Sequence, residues 1–316
     1  MRFIMRKEAA ILFIGFLLTV LACGGGPPLK PTPAHLLTGT DQIRKGTALY
    51  QKGCFKRAME HFSRAHELYA ASDQLDGVAM SFNNMGTVYR ATGDFESAIA
   101  FFDKAHEIYK DLGDRAGVQQ SVANKSAVLI ETGRLEEAEA VINEASSFSP
   151  GDGGKPFVPL MSNRGILLTR KKDYAGAEKI LKEALAAVDP ENVSETATVH
   201  YALGHLMLEM RRWKEANSFY QAALAADRSA GYYKGIADDL YGTGKSYFES
   251  GNREAAVKSW ERSVKIYALI KLPEEVKKTM ADIKTAARGT AIDIRVTELF
   301  VNRWLEGKVY EKPCED

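Results

Sequence analysis

The segment Tyr241-Gly242-Thr243-Gly244-Lys245-Ser246 carries the residue types of a phosphate-cradling loop. Such a loop needs a glycine five residues before its second glycine, and Asp239 stands there instead. The segment also falls inside a stretch of helical periodicity, which argues against nucleotide binding. His61 and His66, and likewise His200 and His205, are the next residues able to do chemistry. Each pair is five apart, about 500° of rotation on a helix, so its members do not share a face and are poorly spaced for a metal. Gly151 to Gly154 lack the strand-then-helix setting of a dinucleotide site. No grouping of Ser, His and Asp stands out for nucleophilic catalysis. These patterns lead to an expectation of no enzyme, no cofactor, no metal and no small-molecule substrate.

The three cysteines are Cys23, Cys54 and Cys314. A bridge between Cys54 and Cys314 would require the two ends of the chain to meet, so two free or buried thiols are expected.

The elements that must position any binding residue are read from composition and periodicity. Hydrophobic residues make up 45% and charged residues 26% of the 316, an ordinary globular balance. The formal net charge is +1, and removal of residues 1–22 leaves it close to neutral, which gives no electrostatic case for a nucleic-acid partner. Arg2, Arg6 and Lys7 precede an apolar run from Ala9 to Leu21, short for a spanning helix and right for the core of a signal peptide. The run ends in Val20-Leu21-Ala22-Cys23, which resembles the lipobox of bacterial lipoproteins. The resemblance implies cleavage after residue 22 and lipidation of Cys23. Residues 23–38 are rich in Gly and Pro and read as a tether. Gly24 is not the Asp that usually retains such lipoproteins in the inner membrane, so the resemblance implies the outer membrane, with the body on its periplasmic face.

A small residue recurs at Gly46, Gly86, Ser126, Gly165, Gly204 and Gly244, in steps of 39 or 40 residues. Twelve residues after each stands an Ala: Ala58, Ala98, Ala138, Ala177, Ala216 and Ala256. Four further on is a large residue: Phe62, Phe102, Ile142, Leu181, Tyr220 and Trp260. Three more brings Ala65, Ala105, Ala145, Ala184, Ala223 and Ser263. The four-then-three spacing places these last three columns on one helical face. Turns such as Gly93-Asp94, Lys172-Asp173 and Gly251-Asn252 divide each unit into two helices. The small column lets the helices of one hairpin approach closely, and the large column is expected to fill the gap to the next hairpin. In the sixth unit Arg253 replaces the usual aromatic or aliphatic opener, which is expected to weaken that helix start.

Four columns in six units resemble the tetratricopeptide repeat (TPR) over about residues 39–272, with a spacing like that of the long-helix adaptors. The expected fold is all-α, a right-handed α-solenoid of about six TPR-like hairpins with C-terminal capping helices over 273–316. One capping helix starts at Pro273. A second, amphipathic helix is expected to use Ile292, Val296, Leu299 and Phe300. Residues 149–157 are the one Gly/Pro-rich break in the array and read as a mild hinge.

The resemblance implies a concave wall, lined by the first helix of each hairpin, that holds protein or peptide partners. Asn84, Asn124 and Asn163 occupy a column from which long-repeat adaptors hydrogen-bond peptide backbone, an amide being both donor and acceptor. The alternative role for these residues is to brace neighbouring helices. Thr87, Arg90, Tyr201, His205, Tyr241, Lys245 and Phe248 lie on the same helices and complete the expected partner-binding set. The function so implied is an outer-membrane-anchored scaffold for envelope, secretion or pilus assembly. The alternative is a peptide-responsive regulator.

Overall fold

The computed structural model describes residues 34–147, 156–309 and 314. The apolar run, Cys23 and most of the Gly/Pro break lie outside the described residues. Twelve helices form six consecutive hairpins: α1 (Ala34–Gln51) with α2 (Phe55–Ala71), α3 (Leu75–Ala91) with α4 (Phe95–Asp111), α5 (Arg115–Glu131) with α6 (Leu135–Ser147), α7 (Val158–Arg170) with α8 (Tyr174–Ala187), α9 (Val193–Glu209) with α10 (Trp213–Ala230), and α11 (Tyr233–Glu249) with α12 (Arg253–Leu269). Two further helices follow, α13 (Pro273–Ala287) and α14 (Arg295–Leu305), and no strand occurs among the described residues. Helix α1 begins inside the segment 23–38 that composition reads as tether. No helix among the described residues is long and apolar enough to cross a membrane.

Local chemistry sets the helix ends. The side chains of Asp94, Asp114, Asp173, Asn192 and Asn252 accept from the backbone N–H three residues on, satisfying donors that a helix start leaves without partners. Asn252 does this for α12, so the arginine at the opening position does not weaken that helix: the cap lies one residue earlier and is intact. Within all six hairpins the turn residue before the cap is left-handed, as at Gly93 with φ 84° and at Lys172 with φ 65°.

The recurring columns are the core. Ala58, Ala98, Ala138, Ala177, Ala216 and Ala256 are fully buried, as are Phe62, Phe102, Ile142, Leu181, Tyr220 and Trp260 to within 2%. In the five units whose small residue is glycine, the large residue lies against it within the same hairpin. A methyl added at Gly46 would stand 2.5 Å from Phe62, and one at Gly86 would stand 2.6 Å from Phe102. This corrects the expectation that the large column fills the space between hairpins. That space is closed by another pairing, in which the ring of Tyr69 covers Gly77 and that of Tyr109 covers Gly117 at the start of the next unit. In the fifth unit the aromatic is replaced by Asp227, whose carboxyl lies on Gly235.

The stack curves until its ends meet. Tyr50 of the first hairpin stacks on Tyr232 at the start of the sixth, ring centroids 5.9 Å apart. One apolar cluster joins Phe55, Phe62 and Met85 of units one and two to Trp260, Ile270, Leu272 and Ile283 of unit six and α13. Cys54 and Cys314 are disulfide-bonded, with Cα atoms 5.2 Å apart across 260 residues of sequence. The expectation of two free or buried thiols is therefore overturned. Each junction adds a small rotation, the five between the six hairpins bring the ends of the stack together, and sequence spacing carries no measure of that sum.

Pro273 opens α13, which packs on α12. Helix α14 also packs on α12 but presents a face other than the one expected. Thr297 and Val301 are buried, whereas Val296, Leu299 and Phe300 are exposed. Thr297 donates to Glu261 at 2.5 Å, and Lys271 donates to the carbonyls of Trp304 and Leu305 at the helix end. These polar anchors turn the apolar stripe outward.

Candidate partner-binding cavity

The first helices of units two to six, with α12 and α13, surround a cavity of about 380 Å³. Its wall takes Arg90 from α3, Glu131 from α5, Asn163 and Arg170 from α7, Tyr201 and His205 from α9, Lys234, Asp238 and Tyr241 from α11, Tyr267 from α12, and Glu275 and Lys278 from α13. The helical hairpin explains this convergence. Each first helix turns its small column toward its own second helix, and the residues on the opposite face point inward.

Five of the ten residues expected to bind partners line this cavity, Arg90, Asn163, Tyr201, His205 and Tyr241, whereas Phe248 lies outside the lining and packs on the ring of Trp260. Lys245 is exposed outside the lining, although its charge acts on His205. Asn84 and Thr87 are not in the lining. Asn84 donates to the carbonyl of Met80 in its own helix at 2.8 Å, and Thr87 to that of Asn84 at 2.7 Å. The other two asparagines hold adjacent units together. Asn124 donates to Asn83 Oδ1 at 3.0 Å, and Asn163 donates to the carbonyl of Ala123 at 2.6 Å and to Ser126 Oγ at 3.0 Å. Of the two roles weighed for the asparagine column, bracing is the geometry observed for Asn124 and Asn163.

The charged wall is partly self-paired. Arg90 Nε donates to Glu131 at 3.0 Å, and Lys234 Nζ to Asp238 at 2.9 Å. Burial opposes the Lys234 charge, but Asp238 outweighs it and holds the ammonium above its ordinary range. Tyr267 donates to the other oxygen of Asp238 at 2.6 Å, and Tyr241 donates to Asp282 at 2.6 Å. Burial and that bond to Asp282 raise the Tyr241 phenol, so it stays a donor. Lys278 lies 4.8 Å from the centre of the Tyr241 ring. Burial, with Arg170 and Lys245 nearby, pushes His205 down to about 4, so its imidazole is neutral at ordinary pH. Its Nδ1 is buried without a hydrogen-bond partner among the described residues. Arg170 has no ion-pair partner among them either. The wall therefore offers a guanidinium, an ammonium and tyrosine rings to a visitor, with no nucleophile–base pair among its residues. No cluster of three or more metal-ligating side chains occurs among the described residues.

Sequence reasoning missed Arg170, Lys234, Asp238, Tyr267, Glu275 and Lys278. Arg170, Lys234 and Asp238 lie in the repeat array at positions where no column recurs, and Tyr267 shares the repeat position of Tyr69 and Tyr109, which was not read as a column. The last two come from a helix that had been assigned only a capping role.

The Tyr241–Ser246 segment lies wholly inside α11. Gly242 admits the ring of Tyr220 and Gly244 that of Trp260, so both glycines serve packing.

Comparison with known proteins agrees with this architecture. The tetratricopeptide repeat matches residues 40–111 and 157–229 in one form and 240–268 in another. No curated protein sequence matches significantly. Among solved structures, the Rap conjugation gene regulator of plasmid pLS20 in complex with the Phr* peptide is similar at TM-score 0.55 and 16% identity, over 88% of this chain and 78% of that one. The type IV pilus biogenesis factor PilW is similar at TM-score 0.45 and 17% identity, over 77% and 98%. Pseudomonas aeruginosa pilF is similar at 0.43 and 16%, over 74% and 99%. At these identities the likeness is one of fold.

Proposed function

Since the chain belongs to the tetratricopeptide repeat family, we propose that it is a scaffold that takes a short peptide segment of a partner protein into its central cavity. The observation that carries this reading is the cavity itself, where Arg170 and Lys278 stand beside Tyr201 and Tyr241 on a wall built by seven helices. A volume of about 380 Å³ suits a few residues of peptide or a chain end, not a folded domain. Tyrosine and arginine supply contact area and directed hydrogen bonds at little entropic cost. We further propose that the scaffold is an outer-membrane lipoprotein anchored through Cys23, facing the periplasm and serving envelope assembly. The lipobox-like end of the apolar run supports this, and so does the Cys54–Cys314 bridge, since such bonds persist in exported proteins.

An array of immobilised octapeptides probed with the protein tests the cavity. The expected result is a restricted set of binding peptides whose signal falls at least about tenfold for Arg170→Glu and Lys278→Glu, each a change of more than about 1.4 kcal/mol. Signal unchanged in both variants rejects the cavity as the site. Globomycin sensitivity of processing and the membrane fraction holding the protein test the anchor.

A second reading, a peptide-responsive regulator, is favoured by the seam where the ends of the stack meet, because a closed ring can change shape when occupied. Its test is a peptide-dependent change in small-angle scattering.

A further inference from the structure

In a solenoid each unit touches only its neighbours, and the two end units have no reason to meet. Here they do, and the meeting place lies at the cavity. Tyr50 and Tyr232 stack across the seam, and their hydroxyls are 3.5 Å apart. Both rings are close enough to Arg90, on the cavity wall, to act on its charge. Gly53 lies directly on Ile270, and Arg57 donates to the carbonyl of Cys314 at 2.9 Å. Among the described residues, one covalent bond crosses this seam, Cys54–Cys314. Cys54 is at the N-cap of α2 and is 3% exposed, so its sulfur is anchored in the body. Cys314 belongs to the tail beyond α14.

We propose that the Cys54–Cys314 disulfide is a redox latch that holds the ring shut, and that its reduction opens the seam beside Arg90 and changes access to the cavity. The proposal rests on the peptide-binding reading of that cavity. The reaction is thiol–disulfide exchange with a dithiol reductant. One thiolate of the reductant attacks Cys314, the more accessible sulfur, and Cys54 leaves as a thiolate and takes a proton. The second thiol of the reductant then displaces Cys314 from the mixed disulfide. Two electrons and two protons pass to the chain, which ends with two thiols, and the reductant ends as a disulfide. What remains across the seam is the tyrosine stack and the packing of Phe55, Ile270 and Leu272. These contacts are noncovalent and can exchange with an open form.

The test uses the full chain in three forms: oxidised, reduced with dithiothreitol, and Cys314→Ser. The serine variant removes the bond without touching the buried Cys54. Thiol titration establishes the state of each. Hydrogen exchange is read at the seam (the amides of Gly53, Cys54, Tyr232 and Leu272) and inside the stack at α4. The octapeptide array is probed with the same three forms. The expected result is seam exchange at least about tenfold faster in both open forms, with α4 unchanged, and a binding pattern that differs between oxidised and open protein. Unchanged seam exchange after complete reduction overturns the latch, whatever the array shows. An opened seam with the same array signal in all forms overturns control of the cavity. An array silent with every form rejects the peptide site, and the gating with it, while the seam exchange still reports on the bond.

Discussion

Replacing Asp239 with Asn probes the junction on which much of the cavity wall is built, because α11 carries Lys234, Asp238 and Tyr241 on one side and Asp239 on the other. Asp239 is 1% exposed, and neither of its carboxyl oxygens meets a donor from the described residues. Asp227, at the position where three other units hold a tyrosine, is 7% exposed. Burial, then the negative charges of Asp227 and Asp238, push the Asp239 carboxyl up to about 9, and burial and Asp238 push Asp227 up to about 7. A proton on Asp239, donated to Asp227, supplies the hydrogen bond that the static positions lack. In the unfolded chain the same carboxyl ionises near 3.8. Folding at pH 7 therefore takes up a proton, and holding it some three units above the free value costs about 4 kcal/mol. The folded-state pKa is the raised one. The contribution to stability is therefore complete below about pH 4 and is lost progressively as pH rises toward 9, where the folded group ionises and the loss levels off. Asparagine has nearly the same shape and does not titrate. The variant is expected to match wild type within about 1 kcal/mol at pH 4 and to exceed it at pH 7 by up to about 4 kcal/mol, less whatever its second amide hydrogen costs in packing. Urea unfolding followed by circular dichroism from pH 4 to 9, with hydrogen exchange of α11 as a local check, measures the difference between the two proteins. A difference that does not change with pH, or a variant that loses ground as pH rises, would refute the buried-acid account.

Asn163→Ala leaves the Ala123 carbonyl and Ser126 without their donor and should lower stability by about 1–3 kcal/mol, so any loss of partner binding in that variant must be corrected for unfolding measured by denaturant titration. Phe102→Ala opens the hollow over Gly86 and should cost about 3–5 kcal/mol, seen as faster hydrogen exchange in α3 and α4 before the rest of the stack. Lys172→Gly relieves a left-handed residue in the turn before α8 and should raise stability by about 1 kcal/mol in a chemical denaturation series, whereas Lys172→Val should lower it.

Much of the architecture was legible because it is local. The spacing from Gly46 to Phe62, repeated six times, encodes one helix, one turn and a second helix whose ring fits the hollow of the first. Each of those contacts lies within 16 residues of its partner. Pro273 fixed the start of α13 for the same kind of reason, since proline is at ease only in the first turn. The cavity was half legible: Tyr201, His205 and Tyr241 stand on the inward face that helical periodicity assigns them. Arg170 and Lys278 come from positions with no recurring column, so only the fold gathers them. The direction of Asn124 and Asn163, toward the preceding unit instead of the groove, depends on rotamer and helix offset, which residue type does not encode.

The outward turn of Val296, Leu299 and Phe300 was decided by Thr297 and Lys271 finding polar partners 33 to 36 residues away. Amino-acid order alone determined the hairpins, their number and their packing columns, because those follow from contacts between near neighbours along the chain. The tertiary structure alone decided that the first and last hairpins touch, that Cys54 reaches Cys314, and that the first helices of units two to six gather with α12 and α13 around one cavity. Closure is the sum of many small rotations between units, and no single stretch of sequence contains that sum.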